Sequence, residues 1–356
     1  MAQKNETPAL IVALLVTLGL IGGGIWWLTQ RSNLLGGLPA TSTPSPANVP
    51  EAPSSDPPSP TAGSDRFTSI ANVPSGLFSY GGSTTWAPIR GSVDSTITAA
   101  FPPFQLRYTE PLSGPAGSST GIRMLLDNQL AFAQSSRSPR PEEYQAAQQR
   151  GFTLKEIPVA IEGIAIAVHP ELNVPGLTIA QLRDIYTGRI TNWNQVGGPN
   201  LPLTAYSRSA EGSGTVDFFV ENVLGGAGLG SNVRFISTTT QALRTISSDR
   251  GGIYFASAPE VVGQCTVKPL AIGRQVGEFV APYQGQVFLS PQCPSQRTQL
   301  DASALQSGRY PLTRRLFVIV KQNGQADQQA GEAYANLLLT NQGQDLLTQA
   351  GFVRIR

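Results

Sequence analysis

The sequence predicts an α/β fold with largely parallel sheets, and it divides the folded part of the chain into two lobes. Short apolar runs that suit β-strands alternate with runs whose apolar residues recur every three or four positions, as in amphipathic helices. This alternation favours parallel sheets joined by helices. The region from residue 67 to 356 is about 290 residues long, which exceeds a typical single domain and indicates two lobes.

The first 66 residues are predicted to lie outside this folded region. Residues 8–28, PALIVALLVTLGLIGGGIWWL, carry no charge and are long enough to span a bilayer, with Trp26 and Trp27 at the interface. A cleaved signal peptide is the alternative, but the run does not end in a small-residue cleavage site, so we expect residues 1–30 to remain as a transmembrane anchor. Residues 31–66 are rich in proline, serine and threonine and are expected to form a disordered linker.

Strands and helices are expected to alternate through the rest of the chain. Short apolar runs predict strands at 76–80, 104–108, 130–134, 163–168, 203–206, 234–237, 251–256 and 316–320. Helical periodicity predicts helices that begin near Thr84, Gly121, Pro141, Thr178, Gly214, Thr239 and Asp327. The helix at 214 is the clearest, because Val216, Phe219, Val220, Val223 and Leu224 form a single apolar face.

The composition argues against several classes of protein. The net charge is only +2 and 13% of the residues are charged, so we expect no nucleic-acid partner. One histidine and two cysteines cannot build an ordinary His/Cys metal site, and we expect neither a metal nor a cofactor. Cys265 and Cys293 could form a disulfide outside the cytosol, although two free thiols are also compatible with their spacing.

Three glycine-rich turns with serine or threonine precede predicted helices. They are GGSTT at 81–85, GSST at 117–120 and RSAEGSGT at 208–215. The first turn of a helix leaves backbone N–H groups without partners, glycine permits close approach, and hydroxyls add further donors. Arg208 adds a forked cation that suits an oxyanion. The turns therefore predict an anion site, and the alternative is that serine and threonine only cap these helices.

The order of these motifs resembles the phosphate-binding proteins of ABC phosphate importers. The resemblance covers residues 76–355 and includes GSSTGIRMLL at 117–126, LAFAQSSRSP at 130–139 and GGIYFA at 251–256. Its most specific part is IYTGRITNWNQVGG at 185–198 followed by the arginine-containing GSGT turn. The segments YPLTRRLFVIVK and LLLTNQGQDLLTQAGFVRI complete the order.

This resemblance implies the two-lobe fold of periplasmic binding proteins, with two strands that cross between the lobes. Lobe one would comprise residues 67–158 and 258–356, and lobe two residues 159–257. The family members are not enzymes; they capture phosphate or a similar tetrahedral oxyanion and deliver it to ABC permease subunits on the extracytoplasmic side of the membrane. Matched motif by motif, the ligand-binding residues would be Ser83, Thr84, Ser118, Ser119, Ser136, Arg137, Arg208, Ser213, Gly214 and Thr215.

Two positions depart from the family pattern. In many members the third loop ends in Ser-Asp, and the aspartate accepts a hydrogen bond from protonated phosphate, whereas Ser136 and Arg137 stand here; some members do carry Ser-Arg. Serine imposes no charge penalty on a fully ionised anion, so the choice between phosphate and sulfate stays open. The turn RSAEGSGT is also one residue longer than usual, with Glu211 in place of an aspartate.

Two other functions stay open at this point. A hydrolase could use Ser213 as a nucleophile and His169 as a base, but the sequence has neither a G-x-S-x-G elbow nor the lysine of a phosphate-binding P-loop. We expect His169 at a surface or hinge position instead. A tethered sensor or envelope protein could also use the same fold without transport.

Overall fold

The computed structural model describes residues 66–209, 213–293 and 295–355. The predicted anchor at 8–28, all but the last residue of the predicted linker, and Glu211 lie outside the described residues, so the expectations for them stay predictions. Across the described ranges, no helix combines the length and apolar character that crossing a bilayer requires.

The strands are numbered in chain order. They are β1 Gly76–Gly82, β2 Phe104–Tyr108, β3 Phe132–Ser135, β4 Thr153–Val168, β5 Leu177–Thr178, β6 Thr204–Ser207, β7 Arg234–Phe235, β8 Gly252–Ser257, β9 Lys268–Leu270, β10 Ile272–Gly273, β11 Phe279–Val280, β12 Tyr283–Gln284, β13 Gln299–Leu300 and β14 Thr313–Gln322.

The α-helices are numbered in the same way. They are α1 Ala87–Ile89, α2 Ser95–Ala100, α3 Ser118–Leu126, α4 Pro141–Gln149, α5 Ile179–Tyr186, α6 Gly214–Asn222, α7 Thr239–Ile246, α8 Ala258–Val261, α9 Ala302–Gln306, α10 Ala326–Leu339 and α11 Asn341–Gln349. Short 3₁₀ segments lie at Phe67–Ser69, Thr84–Trp86 and Trp193–Val196, and one π-helical turn lies at Arg90–Asp94.

Two long antiparallel strands join the lobes. The strands of the main sheet follow the order β2-β1-β3-β14-β4-β8-β6-β7, with β9 also paired to β4. β4 pairs with β14 up to Gly163 and then with β8 from Ile164 to Val168. A single uninterrupted strand therefore contributes to both lobes, and the point where it changes partners is the junction between them.

The sheet is mixed, which differs from the largely parallel sheets that the sequence predicted. Within the first lobe β1 is parallel to β2 and β3, and within the second lobe β6 is parallel to β7 and β8. The pairs in the middle, β3–β14, β14–β4 and β4–β8, are antiparallel. The difference arises because β14 comes from the far end of the chain and enters the sheet in the reverse direction between β3 and β4.

Each lobe has its own aromatic core. In the first lobe the rings of Phe132 and Tyr334 stack with their centroids 4.8 Å apart. In the second lobe Phe219 of α6 stacks on Phe255 of β8 at 3.8 Å, which fixes α6 against the sheet. The segments 258–272 and 304–312, which the resemblance places in lobe one, pack into the apolar clusters of the second lobe.

A disulfide closes the loop-rich region that contains β9 to β12. Cys265 and Cys293, which the sequence left open as bonded or free, are bonded in the structure over a separation of 28 residues. A cross-link of this kind limits the freedom of the unfolded chain and so stabilises a region that has few long strands.

Candidate functional site

The first site residues lie side by side at the carboxyl ends of β1 and β3. These strands are parallel neighbours with Gly82 opposite Gln134, so Ser83 and Ser136 follow at the same edge of the sheet. The Ser83 N–H donates to the Gln134 carbonyl at 2.8 Å, and the Ser83 hydroxyl donates to Ser136 Oγ at 3.1 Å. Both serines are buried. In α/β proteins this edge of a parallel sheet is where ligands bind.

A third serine joins this pair from the start of α3. The helix approaches β1 closely because Gly121 has no side chain: a Cβ at this position would lie 2.4 Å from the Cα of Gly82. Ser118, which begins α3, accepts a hydrogen bond from the Ser136 N–H at 3.1 Å, and the two hydroxyl oxygens are also 3.1 Å apart. Three loops of the first lobe thus bring three buried hydroxyl groups together.

The second lobe places the N-terminus of α6 directly opposite the three serines. A Cβ at Gly214 would lie 2.4 Å from the Oγ atoms of both Ser118 and Ser136, so only glycine permits this approach. Ser213 caps the helix by accepting a hydrogen bond from the Val216 N–H at 3.4 Å. Capping uses the oxygen as an acceptor, and the hydroxyl proton can still be donated to a ligand.

Arg208 adds a cation beside the serine cluster. It follows β6 in the second lobe, and its guanidinium donates to Thr84 Oγ1 of the first lobe at 3.3 Å. Arg208, Thr84, Ser213 and Thr215 line one narrow cavity between the lobes. A positive side chain, several hydroxyl donors and a helix N-terminus together suit a small oxyanion.

A second arginine, which the sequence analysis did not select, ties the two sides of the site together. Arg314 on β14 donates to the carbonyl oxygen of Gly214 at 2.7 Å and to the Thr215 hydroxyl at 2.9 Å, both at the start of α6. The same guanidinium donates to Thr85 Oγ1 in the first lobe at 3.2 Å. Its Nε donates to Glu162 Oε2 at 2.7 Å. One side chain on a crossover strand therefore contacts both lobes.

Arg314 and Glu162 form a buried ion pair at the junction of the lobes. Their side chains are 3% and 0% exposed, and Glu162 Oε1 has no hydrogen-bond partner among the described residues. A buried ion pair contributes little net stability, but removal of one partner leaves the other charge uncompensated. The pair therefore serves mainly to hold the guanidinium in place against α6.

The signals for these two residues are present in the sequence. Leu312, directly before β14, and Leu316 and Val318 within it are buried, and the period of two places Arg314 on the same inward face. Glu162 likewise lies within the apolar run VAIEGIAIAV. A charged residue on a buried face needs a partner of opposite charge, so the two runs together indicate this pair.

Ser119 and Arg137 take part in an ion-pair cluster between the lobes. Arg137 contacts Asp217 of α6 at 3.3 Å and pairs with both carboxylate oxygens of Glu143 at 2.8 and 2.9 Å. The Ser119 hydroxyl donates to Asp217 at 3.2 Å and accepts from Arg137 at 2.8 Å, while Arg140 contacts Asp217 at 3.2 Å. These contacts link the lobes, and the assignment of Ser119 and Arg137 to ligand binding stays a prediction.

One carboxyl group lines the same cavity as Arg208. It belongs to Glu260 of the short helix α8. Burial raises the pKa of Glu260 to about 7, and the nearby Glu162 carboxylate acts in the same direction. Arg208, a hydrogen bond with Thr239 and Arg314 each lower this pKa and so limit the rise.

The structure separates the two residues of the hydrolase alternative. Ser213 lines the cavity, whereas His169 is not among the described residues that line it. Nδ1 of His169 accepts the Glu171 N–H at 3.1 Å in the turn after β4. Within the described ranges, no group of three or more His, Cys, Asp or Glu side chains is placed to hold a metal ion.

Comparison with known proteins identifies homologues with the same fold. Residues 52–342 match a family model described as a PBP superfamily domain. Protein SphX of Synechococcus elongatus is 28% identical over 67% of this chain and 67% of its own length. The phosphate-binding protein PstS of Staphylococcus epidermidis is 25% identical over 68% of this chain and 69% of its own length.

Solved structures show the same fold at lower sequence identity. A putative phosphate ABC transporter substrate-binding protein with bound phosphate from Clostridium perfringens has a TM-score of 0.62 and 23% identity, and the match covers 79% of this chain and 100% of that one. An ABC-type phosphate transport receptor from Vibrio cholerae has a TM-score of 0.60 and 20% identity, with coverage of 78% and 99%. The resemblance seen in the sequence is confirmed, and this chain belongs to the PBP superfamily, with phosphate-binding proteins among its homologues.

Proposed function

We propose that this protein binds phosphate, or a similar tetrahedral oxyanion, outside the cytoplasm and delivers it to the permease of an ABC importer. The observation that carries the proposal is the meeting of Ser83, Ser118 and Ser136 with Gly214, the first residue of α6, beside Arg208. The phosphate-binding names of the relatives and of the similar structures support the choice of anion.

The chemistry of these groups fits capture and release of an anion. Hydroxyl groups that bond to one another in the structure can rotate and donate to an anion instead. Arg208 and the dipole of α6 offset its negative charge. The donors come from both lobes, so opening of the lobes divides the set of donors and weakens binding.

The proposal includes the arrangement of the chain that the sequence predicts. Residues 1–30 would anchor the protein in the cytoplasmic membrane, and residues 31–66 would tether the binding lobes about 35 Å from it as a flexible coil. Lobe one would comprise residues 67–158 and the part of 258–356 outside 258–272 and 304–312, and those two segments would belong with residues 159–257 to lobe two. Determination of the mature N-terminus tests the anchor, because a terminus between residues 28 and 45 would show cleavage and release.

Thermal unfolding of the full-length protein with added anions tests the binding proposal. A ligand that binds only the folded state raises the melting temperature, and the rise grows with the ligand concentration. We expect phosphate to raise the melting temperature. The same measurement is made with sulfate, arsenate and molybdate for comparison. If none of these anions changes it at millimolar concentration, the protein is not an oxyanion receptor, and the sensor or envelope alternative gains support.

A further inference from the structure

The proposed oxyanion cavity contains one group of the wrong charge for an anion. Arg208 and the hydroxyls of Ser213 and Thr215 all favour a negatively charged ligand. Glu260 lines the same cavity and is the one carboxyl group among the described residues that do so. An ionised carboxylate at this place opposes the binding of an anion that has no proton to donate.

The polar and charged neighbours of Glu260 come from several elements of the fold. Thr239 of α7 forms a hydrogen bond with the carboxyl group and lies 3.3 Å from the hydroxyl of Tyr254 on β8. Two cations, Arg208 and Arg314, favour the ionised form, while burial and the Glu162 carboxylate on β4 oppose it.

The balance of these effects makes the carboxyl group sensitive to pH near neutrality. Burial raises the pKa of Glu260 to about 7. The phenol of Tyr254 stays neutral across this range, because burial raises its pKa to about 12. Glu260 therefore changes its charge around neutral pH.

We propose that Glu260 selects the protonation state of the bound oxyanion, by excluding fully ionised anions and accepting a hydrogen bond from an anion that carries a proton. This inference rests on the proposed function. Ser136, at the position where the sequence left selectivity open, has a neutral side chain that contacts Ser83 and Ser118 and cannot supply this charge effect. In the structure the carboxyl group of the cavity comes instead from α8 of the second lobe.

Sulfate and phosphate together separate the effect of Glu260 from general anion binding. Sulfate stays fully ionised between about pH 6 and about pH 8.5, so any change in its affinity reports on the protein. We expect the sulfate affinity of the wild-type protein to fall up to about tenfold per pH unit above about pH 7, as the carboxylate becomes ionised. The measurement is calorimetric titration of the full-length protein with each anion.

The variant Glu260→Gln keeps the size of the side chain and removes its charge. It should bind sulfate at about pH 8.5 at least about tenfold more tightly than the wild-type protein does and lose the pH dependence. The ratio of phosphate affinity to sulfate affinity should fall by at least the same factor. Glu142→Gln, at an exposed position of α4, is the matched control and should leave both affinities unchanged.

A second variant acts on the same carboxyl group without replacing it. The hydrogen bond with Thr239 lowers the pKa of Glu260, so Thr239→Val should move the midpoint of the sulfate profile to higher pH. If Glu260→Gln does not fold, the pH profile of sulfate affinity in Thr239→Val tests the role of Glu260 instead, and an unchanged midpoint would contradict that role.

The outcomes distinguish this inference from the proposed function. If the wild-type protein binds neither anion, the proposed function fails. If it binds phosphate and Glu260→Gln keeps the wild-type selectivity and pH profile, only the role of Glu260 is wrong. Failure of Glu260→Gln to bind sulfate at any pH, while it still binds phosphate, would equally overturn this role.

Discussion

The guanidinium of Arg314 donates a hydrogen bond of 2.7 Å to the carbonyl oxygen of Gly214, and so a crossover strand holds the first residue of the helix that faces the serine cluster. The same side chain reaches Thr85 in the first lobe. The two halves of the proposed oxyanion site are therefore tied to one residue at the junction of the lobes, and that residue is paired with Glu162.

Removal of the Arg314 charge should strongly destabilise the protein. Arg314→Gln leaves the Glu162 carboxylate buried without its partner, and we expect the free energy of unfolding to fall by about 3–5 kcal/mol. Urea denaturation followed by circular dichroism measures this change.

The neighbouring arginine provides the control for this variant. Arg315 is exposed on the opposite face of β14, and Arg315→Gln should change the free energy of unfolding by less than about 0.5 kcal/mol. The double variant Glu162→Gln with Arg314→Gln should recover part of the loss, because no buried charge is left unpaired. An equal loss in Arg314→Gln and Arg315→Gln would contradict the importance of the ion pair.

A methyl group at Gly214 should block the site. The Cβ of Gly214→Ala would meet the hydroxyls of Ser118 and Ser136 at 2.4 Å, so either the serines move or the lobes cannot close. We expect phosphate affinity to fall at least about a hundredfold, or about 3 kcal/mol, in calorimetric titration. Gly228→Ala, where a Cβ meets nothing within 4 Å, is the control. Unchanged affinity in Gly214→Ala would place the ligand elsewhere.

The ion pairs of Asp217 should favour the closed form of the protein, in which the two lobes are in contact. Asp217→Asn weakens the contacts of α6 with Arg137 and Ser119, and we expect phosphate affinity to fall about tenfold without loss of fold. X-ray scattering should show a more open average shape. Glu221→Gln changes a more exposed partner of Arg140 and should have little effect. Equal effects of the two variants would show that the Asp217 contacts do not hold the lobes together.

The stability of the ligand-free protein should depend on pH through Glu260. Its folded-state pKa of about 7 exceeds its ordinary value of 4.5, so the folded protein binds more protons between these values. The stabilisation from this group is complete below about pH 4.5 and is lost as the pH rises through about 7. Relative to Glu260→Gln, the wild-type protein should lose on the order of 2 kcal/mol of unfolding free energy between about pH 5 and about pH 8. If urea denaturation gives the same pH dependence of the unfolding free energy for the wild-type protein and for Glu260→Gln, the raised pKa of Glu260 is contradicted.

Local patterns predicted most of the long elements. The strand at 104–108 and the helices that begin at Pro141, Gly214 and Thr239 are confirmed. The first ten residues of β4 were missed, because Lys155, Glu156 and Pro158 interrupt the apolar pattern there. The strands β9 to β13 have two or three residues each and depend on pairing with distant segments, so no local signal marks them.

The sequence predicted the proximity of side chains that a turn alone positions. Ser83, Ser118 and Gly214 lie in turns between a strand and a helix, and Ser136 was matched through the family resemblance. The structure brings the four residues together, and their role in ligand binding stays a prediction. The direction of Arg137 depends instead on Asp217, which is 80 residues away in sequence and lies in the other lobe. Contacts of this kind need the tertiary fold, and the same holds for the position of a buried carboxyl group beside Arg208.

Calorimetric titration of phosphate into the wild-type protein and into Arg208→Ala tests the central claim most directly. We expect the wild-type protein to bind one phosphate per chain and Arg208→Ala to lose about 2–5 kcal/mol of binding free energy, because the charge of the anion is no longer offset. Arg183→Ala, which removes an exposed arginine of α5 in the second lobe, should bind as the wild type does. Absence of binding to the wild-type protein, or a loss below about tenfold in Arg208→Ala, would contradict the claim that this cavity is a phosphate site.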